Sequence, residues 1–275
     1  MKNQIVIGLG EVGIAVHKVL SKHYKNVSSF DTNRPDKADK YDFINIDASH
    51  RFDVMHICFP HMHKFSTIVR LYSKVFRPNL IVIHSSVPIG TTRQLGDCAV
   101  HSPVIGNHPH LLEGIETFDK YFGGNNRPIA KRAMALFAKC GIKGKVCKSE
   151  ESEALKLVLN IGYGLGIVFE KEVFEMCKKK GLNFALVYKL ALENYNKGYS
   201  KLNMQNVQRS IYEHMEGPIG GHCVIENCHL IKNNLGIIPK LILAKNDKLA
   251  KQSPRKKEFS KKSTSSKTSR KTSRT

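Results

Sequence analysis

Three glycines near the amino end, in Gly8-Leu9-Gly10-Glu11-Val12-Gly13, restrict the fold of this chain more than anything else in it. They follow a short apolar run at residues 5–7 and open an amphipathic stretch at 14–22, the setting of a strand, a turn and a helix. In that setting each glycine has a physical task. Gly8 permits the tight turn, Gly10 lets a pyrophosphate approach the backbone, and Gly13 lets helix and strand pack closely. The helix start, formed by Glu11, Val12 and Gly13, offers N–H groups and the positive end of the helix dipole to an anion. Asp31 closes the next predicted strand, 21 residues after Gly10. A carboxylate there accepts hydrogen bonds from ribose hydroxyls and repels a 2′-phosphate, whereas the nearby Arg34 works the other way. The expected cofactor is NAD.

The same alternation continues. Residues 27–30, 43–46, 54–59, 80–84 and 98–101 read as strands and 63–76 and 129–140 as helices, with a last short strand at 145–147. The implied fold class is α/β: a Rossmann-type doubly wound parallel sheet over residues 1–149, followed by a smaller, mostly α-helical domain over 150–251. The first helix of that second domain, 150–180, contains no proline and ends in Lys178-Lys179-Lys180-Gly181, with cations in the last turn and glycine just beyond. A second helix is expected over 184–194.

Composition excludes other classes. The 275 residues are 41% hydrophobic, too apolar for a disordered chain and enough for one large or two modest domains. No apolar run reaches the roughly 18 to 20 residues of a membrane span, so no membrane is expected. Met1-Lys2-Asn3-Gln4 leads straight into a strand, unlike a signal peptide. Seven cysteines, an odd number without a C-x-x-C pair, suit free thiols in a reducing compartment. The cytoplasm is the expected location, and no metal site is expected. The net charge of +21 is concentrated: from Lys245 onward twelve Lys or Arg face two acids. Residues 252–275, almost entirely Lys, Arg, Ser and Thr, are expected to be a disordered basic tail. It reads either as a solubilising segment or as a contact for nucleic acid, anionic lipid or an acidic partner.

Further segments carry a family pattern. His84-Ser85-Ser86-Val87-Pro88-Ile89-Gly90-Thr91-Thr92 follows the fifth strand, and Glu153-Ala154-Leu155-Lys156 with Asn160 begins the long helix. Gly217-Pro218-Ile219-Gly220-Gly221-His222-Cys223 comes later, and Asn246-Asp247 lies in one more helical stretch. In this order, over about residues 1–248, they resemble the UDP-glucose/GDP-mannose 6-dehydrogenase family, with its S-T-V-x-P-G-T-T segment, E-x-x-K-x-x-x-N helix and G-G-[HS]-C loop. The resemblance implies a four-electron, NAD-dependent oxidation of a primary alcohol on a sugar nucleotide. It implies that Cys223 is the nucleophile, forming a thiohemiacetal and then a thioester. Lys156 would be the cation beside it and Asn160 an amide donor one helical turn away. Ser86 and Thr91 would touch the cofactor, and Gly220 and Gly221 would give the substrate close access to the loop. The family's long helix implies a homodimer formed through residues 151–196.

The chain also departs from that pattern. The family's C-x-P-K-D reads Cys223-Val224-Ile225-Glu226-Asn227, so an amide stands where the acid is expected. Its S-P-E reads Ser102-Pro103-Val104, which leaves Glu113 to match a later glutamate of that loop. The basic tail begins where the family's nucleotide-gripping domain would start. His101, His108 and His110 lie close in sequence; one of them facing a nicotinamide could accept a proton, and His108 could contact substrate. Three readings therefore stay open. The first is a shortened sugar-nucleotide-type dehydrogenase acting on a small molecule such as a nucleotide sugar. The second is a two-electron dehydrogenase of the hydroxyacid or 6-phosphogluconate type with a structural Cys223. The third is a non-catalytic NAD-binding module whose tail docks a partner.

Overall fold

The computed structural model describes residues 3–33, 51–107, 109–219 and 222–252. The predicted strand at 43–46, together with Arg34, His108, Gly220, Gly221 and the tail from residue 253, lies outside them. Strands covered on both faces must be apolar on both, which is how the centre of the sheet reads. β1 (Gln4–Ile7), β3 (Val54–Ile57) and β4 (Leu80–Ile83) are buried at every position. With β2 (Val27–Phe30), β5 (Ala99–His101), β6 (Lys120–Gly124) and β7 (Gly144–Cys147) they form one sheet in the order β2-β1-β3-β4-β5-β6-β7.

Helices α1 (Glu11–Ser21), α4 (Leu111–Thr117) and α5 (Arg127–Ala138) cover one face, where Val16, Ile115 and Phe137 meet Val6, Val82 and Val100. On the other face α2 (Phe65–Phe76) buries Phe65, Val69 and Phe76 against Ile5, Ile57 and Ile81. The sheet is therefore doubly wound, as the alternation predicts. β1 to β5 are parallel, but β6 runs antiparallel to β5 and β7 parallel to β6. Within the expected doubly wound parallel sheet, the β5–β6 pair is the antiparallel exception. The β6 sequence, Lys-Tyr-Phe-Gly-Gly, hides a strand because its last two residues must be small. A Cβ on Gly123 would lie 2.0 Å from the Ser152 hydroxyl, and one on Gly124 3.2 Å from Ala130 Cβ.

A helical portion follows, beginning with α6 (Ser149–Lys180), which ends at the left-handed Gly181 (φ 65°). The predicted second helix begins as a π-helical stretch, Ala185–Leu190, and continues as α7 (Ala191–Lys201). After a short 3₁₀ turn, Gln205–Val207, come α8 (His222–Ile231) and α9 (Ile238–Gln252). Leu157, Ile161 and Val168 of α6 form a third core with Val224, Cys228 and Ile231 of α8 and Ile242 of α9. Gly164 permits that approach: a Cβ there would meet Val224 Cγ1 at 2.5 Å.

Candidate active site

The glycine turn stands where the chain order reverses in the sheet. From β1 the chain passes to β2 on one side, and β3 lies on the other, which opens a crevice beyond the carboxyl ends of the strands. Gly8, with φ 93°, lies so close to β3 that a Cβ would come within 2.7 Å of Phe59 N. A Cβ on Gly13 would fall 1.7 Å from the Gly8 carbonyl oxygen, whereas one on Gly10 meets no atom within 4 Å. Two glycines thus close the turn and the third leaves room above it. Gly10 is the extended N-cap of α1 and makes no side-chain cap, so the helix start keeps its positive character. Glu11 is exposed and Val12 half-buried on that first turn. Asp31, half-buried at the end of β2, accepts hydrogen bonds from Leu9 N (2.6 Å) and Asn33 N (2.7 Å). Each carboxylate oxygen keeps a second lone pair. Room above Gly10, an uncapped helix start and an oriented carboxylate fit a dinucleotide.

Farther along the same edge, Lys156 projects from the first turns of α6 and Cys223 from the first turn of α8. Burial pushes the Lys156 ammonium below its ordinary pKa, and the charge of Cys223 acts on it in the opposite sense. Their chain neighbours Leu157 and Val224 pack in one core. Cys223 is half-buried, unlike Cys228 one turn later, which packs fully into the core. It belongs to a helix rather than to the expected loop, so its sulfur stands near a positive helix end. Asn160, half-buried, follows Lys156 by one turn of α6. Lys156 also acts electrostatically on His101 and Lys120, which ties it to the carboxyl end of β5. From β1 to β5 there are three strand spacings, about 14–15 Å.

The other expected site residues are dispersed. Thr91 is buried and its hydroxyl donates to the Pro88 carbonyl at 2.7 Å, while Ser86 is half-buried just past β4. Glu113 sits exposed on α4, 3.7 Å from His110, and the remaining charge that acts on it is Lys18 of α1. None of its described partners belongs to the Lys156 edge. The histidine group does not hold together either. His110 is on the surface, whereas His101 is fully buried, with Nδ1 2.9 Å from Ser152 Oγ and Nε2 3.1 Å from the Ser85 carbonyl. Burial pushes His101 down to about 3, so it stays neutral and joins β5 to α6 instead of accepting a proton.

Two residues of this region escape sequence reasoning. Lys120, 3% exposed, donates to the Ser102 (3.0 Å) and Pro103 (3.1 Å) carbonyls and lies over the Phe137 ring. Burial lowers it to about 7. Glu153, fully buried, accepts hydrogen bonds from Gly90 N (2.5 Å) and Thr92 N (2.7 Å), capping the short helix α3 (Thr91–Gln94) from α6. An E-x-x-K spacing gives Glu153 away as a candidate, but nothing in a Lys-Tyr-Phe-Gly-Gly string marks a buried cation.

No protein-family profile matches the sequence, and no curated protein matches it. Solved structures do share the fold. The UDP-D-ManNAc dehydrogenase of Pyrococcus horikoshii superposes with a TM-score of 0.74 at 15% identity, covering 90% of this chain and 68% of that one. A UDP-glucose dehydrogenase from Pyrobaculum islandicum gives 0.70 at 18%, with the same coverages. The chain thus spans about two thirds of the length of these proteins. The 3-hydroxyisobutyrate dehydrogenase of Mycobacterium tuberculosis gives 0.64 at 17% and covers 92% of this chain and 94% of that one.

Proposed function

We propose that this chain is an NAD-dependent oxidoreductase acting on a CH–OH group, with a site related to that of the sugar-nucleotide dehydrogenases. The observation that carries the reading is the glycine turn itself, with open space above Gly10, an uncapped helix start and the oriented Asp31 carboxylate, on a sheet whose carboxyl edge also leads to Lys156 of α6. Gly10, the first turn of α1 and Asp31 would hold the pyrophosphate and a ribose, with Ser86 farther along. NAD+ supplies the hydride acceptor when bound. Lys156, held below its ordinary pKa by burial, takes the proton of the substrate hydroxyl. Asn160 donates a hydrogen bond to the same oxygen. In the sugar-nucleotide type of reaction the Cys223 thiolate would then add to the aldehyde carbon, a second hydride would leave that carbon for a second NAD+ to give the thioester, and water would break the S–C bond to release the carboxylate and the thiol. Gly220, Gly221 and His108 are proposed substrate contacts, and Glu113 is proposed as the matching loop glutamate, although its described surroundings favour a surface role.

Turnover separates the readings. NADH formation is screened with UDP- and GDP-sugars, sugar phosphates and hydroxyacids, using the wild type, Lys156→Met and Cys223→Ser. Lys156→Met should lose at least about a hundredfold in kcat, the usual scale of a lost general base. If Cys223→Ser stalls after the first oxidation, the thiol chemistry holds; if it turns over normally, that step is wrong. A second reading is favoured by one comparison. The match to the 3-hydroxyisobutyrate dehydrogenase runs nearly the full length of both chains, consistent with a two-electron oxidation that needs Lys156 and Asn160 and not the thiol.

The helical portion is proposed to carry the substrate and dimer contacts, with residues 151–196 facing a second copy. Leu159, Phe169, Leu186 and Leu190 are each more than half exposed along that stretch, and α7 buries no residue. By length and composition alone α6 would also suffice to cross a bilayer. The buried charges on it, Glu153, Glu170 and Lys171, fit a protein interior instead. All seven cysteines are free, which agrees with a reducing compartment such as the cytoplasm. A partner for the basic tail belongs to the same proposal.

A further inference from the structure

We infer that the outer edge of the sheet, made by α5 and β7, is a nucleic-acid-binding surface that grips the phosphate backbone. It uses none of the residues assigned to the dehydrogenase site. From Lys120 to Ser149 the chain has eight Lys or Arg and no Asp or Glu. That segment holds +8 of the net +21, and residues 252–275 hold another +8, so the rest of the chain shares only +5. The charge is therefore gathered in two places, and one of them is folded. Lys120 is buried, but Arg127, Lys131, Arg132 and Lys139 are exposed on α5 or at its end. Lys143, Lys145 and Lys148 are exposed in and around β7, the last strand of the sheet. None of these seven forms an ion pair with another described residue. Of the acids that border the segment, Glu150 pairs with Arg93 and Glu151 accepts from Lys148 N (2.7 Å), which leaves Asp119.

The shape of the surface says which polyanion fits. At 3.6 residues per turn the exposed positions of α5 and its cap fall on one arc about 140° wide. It holds the four cations, with only Pro128, Ala135 and Ala138 between them. Small residues between long cations let a bulky anion come down onto the helix. The helix is about 18 Å long, the rise of about five base pairs. Among the described residues no large apolar side chain is exposed between Phe118 and Val158. A protein partner needs such an anchor at the centre of its interface, and a membrane-lying helix needs one to insert. A phosphate backbone needs neither, because its affinity comes from cations that release counterions. The aromatic rings of the segment, Tyr121, Phe122 and Phe137, are buried or half-buried, so no exposed ring is offered to stack a base. The surface therefore suits a duplex held by its backbone, without sequence readout. A lysine on an edge strand also discourages sheet-to-sheet pairing, but that accounts for Lys145 and not for the four cations on α5.

Fluorescence anisotropy of the full chain with labelled DNA and RNA duplexes of about 20 base pairs, between about 50 and 200 mM salt, tests this. One variant carries Lys131→Gln, Arg132→Gln and Lys139→Gln. A second removes the same charge from exposed lysines of the helical portion, with Lys197→Gln, Lys232→Gln and Lys240→Gln. Both keep the basic tail, and their melting midpoints check that they fold. The first variant should lower the slope of log affinity against log salt by about 2–3, near 0.9 for each lost contact, and bind about tenfold or more weakly. The second should keep the wild-type slope. Tighter binding of either duplex supports the proposal and names the nucleic acid. Equal losses in the two variants would show an effect of net charge alone, and an unchanged slope in the first would assign all binding to the tail; either overturns the proposal. It is overturned as well if polyglutamate or phosphatidylserine vesicles displace the duplexes at equal charge concentration, which would make the partner an acidic protein or a membrane.

Discussion

Gly10 and Gly13 are chemically identical, three positions apart, and should respond oppositely to the same methyl group. Alanine at 13 drives its Cβ into the Gly8 carbonyl, so Gly13→Ala should lose stability by about 1–3 kcal/mol or more and NAD+ binding with it. Alanine at 10 points into open space. Gly10→Ala should melt like the wild type and lose NAD+ affinity alone, a contrast that thermal melting with and without NAD+ displays directly. Lys120 makes a pH prediction. Its pKa is 10.5 ordinarily and about 7 when folded, so between those values the unfolded chain holds a proton that the folded chain lacks. Stability from this group therefore rises with pH across that window. Lys120→Met should flatten the rise in melting midpoint from pH 7 to 10. Gly8, Gly10, Gly13 and Asp31 were legible because their spacing encodes a turn and a strand end. Lys120 was not, because a buried lysine satisfied by backbone carbonyls leaves no partner residue in the sequence.

Elements explain why the site holds its shape. α3 is a single turn, too short to persist alone, and the Glu153 carboxylate from α6 secures its first N–H groups. Glu153→Gln keeps one acceptor and opposes an NH₂ group to the second donor. It should cost about 1–3 kcal/mol, read from urea unfolding, and should weaken any ligand held between α3 and α6. At this scale sequence reasoning succeeded wherever periodicity was strong. α6 was expected over 150–180 and spans Ser149–Lys180. It failed where glycine replaced apolar residues for close packing, as in β6, and where a catalytic-looking loop is the first turn of a helix, as in α8. The histidines at 101 and 110 separated for a related reason: one ends a buried strand and the other is the exposed N-cap residue of α4.

For the whole molecule, the apolar stripe from Leu159 to Leu190 and the edge of the sheet make different demands. The stripe needs a cover of roughly 800 Å² per partner to give a stable dimer. Light scattering should report twice the 31.0 kDa chain mass, and Phe169→Asp with Leu186→Asp should return a folded monomer. The edge needs its two ends to act on one ligand, and alkylation of Cys223 by iodoacetamide with and without saturating NAD+ tests that most directly. A dinucleotide lying from the glycine turn toward β5 should slow the reaction at Cys223 several-fold and leave Cys98 unchanged. Bound NAD+ that leaves the rate at Cys223 untouched would contradict a shared crevice.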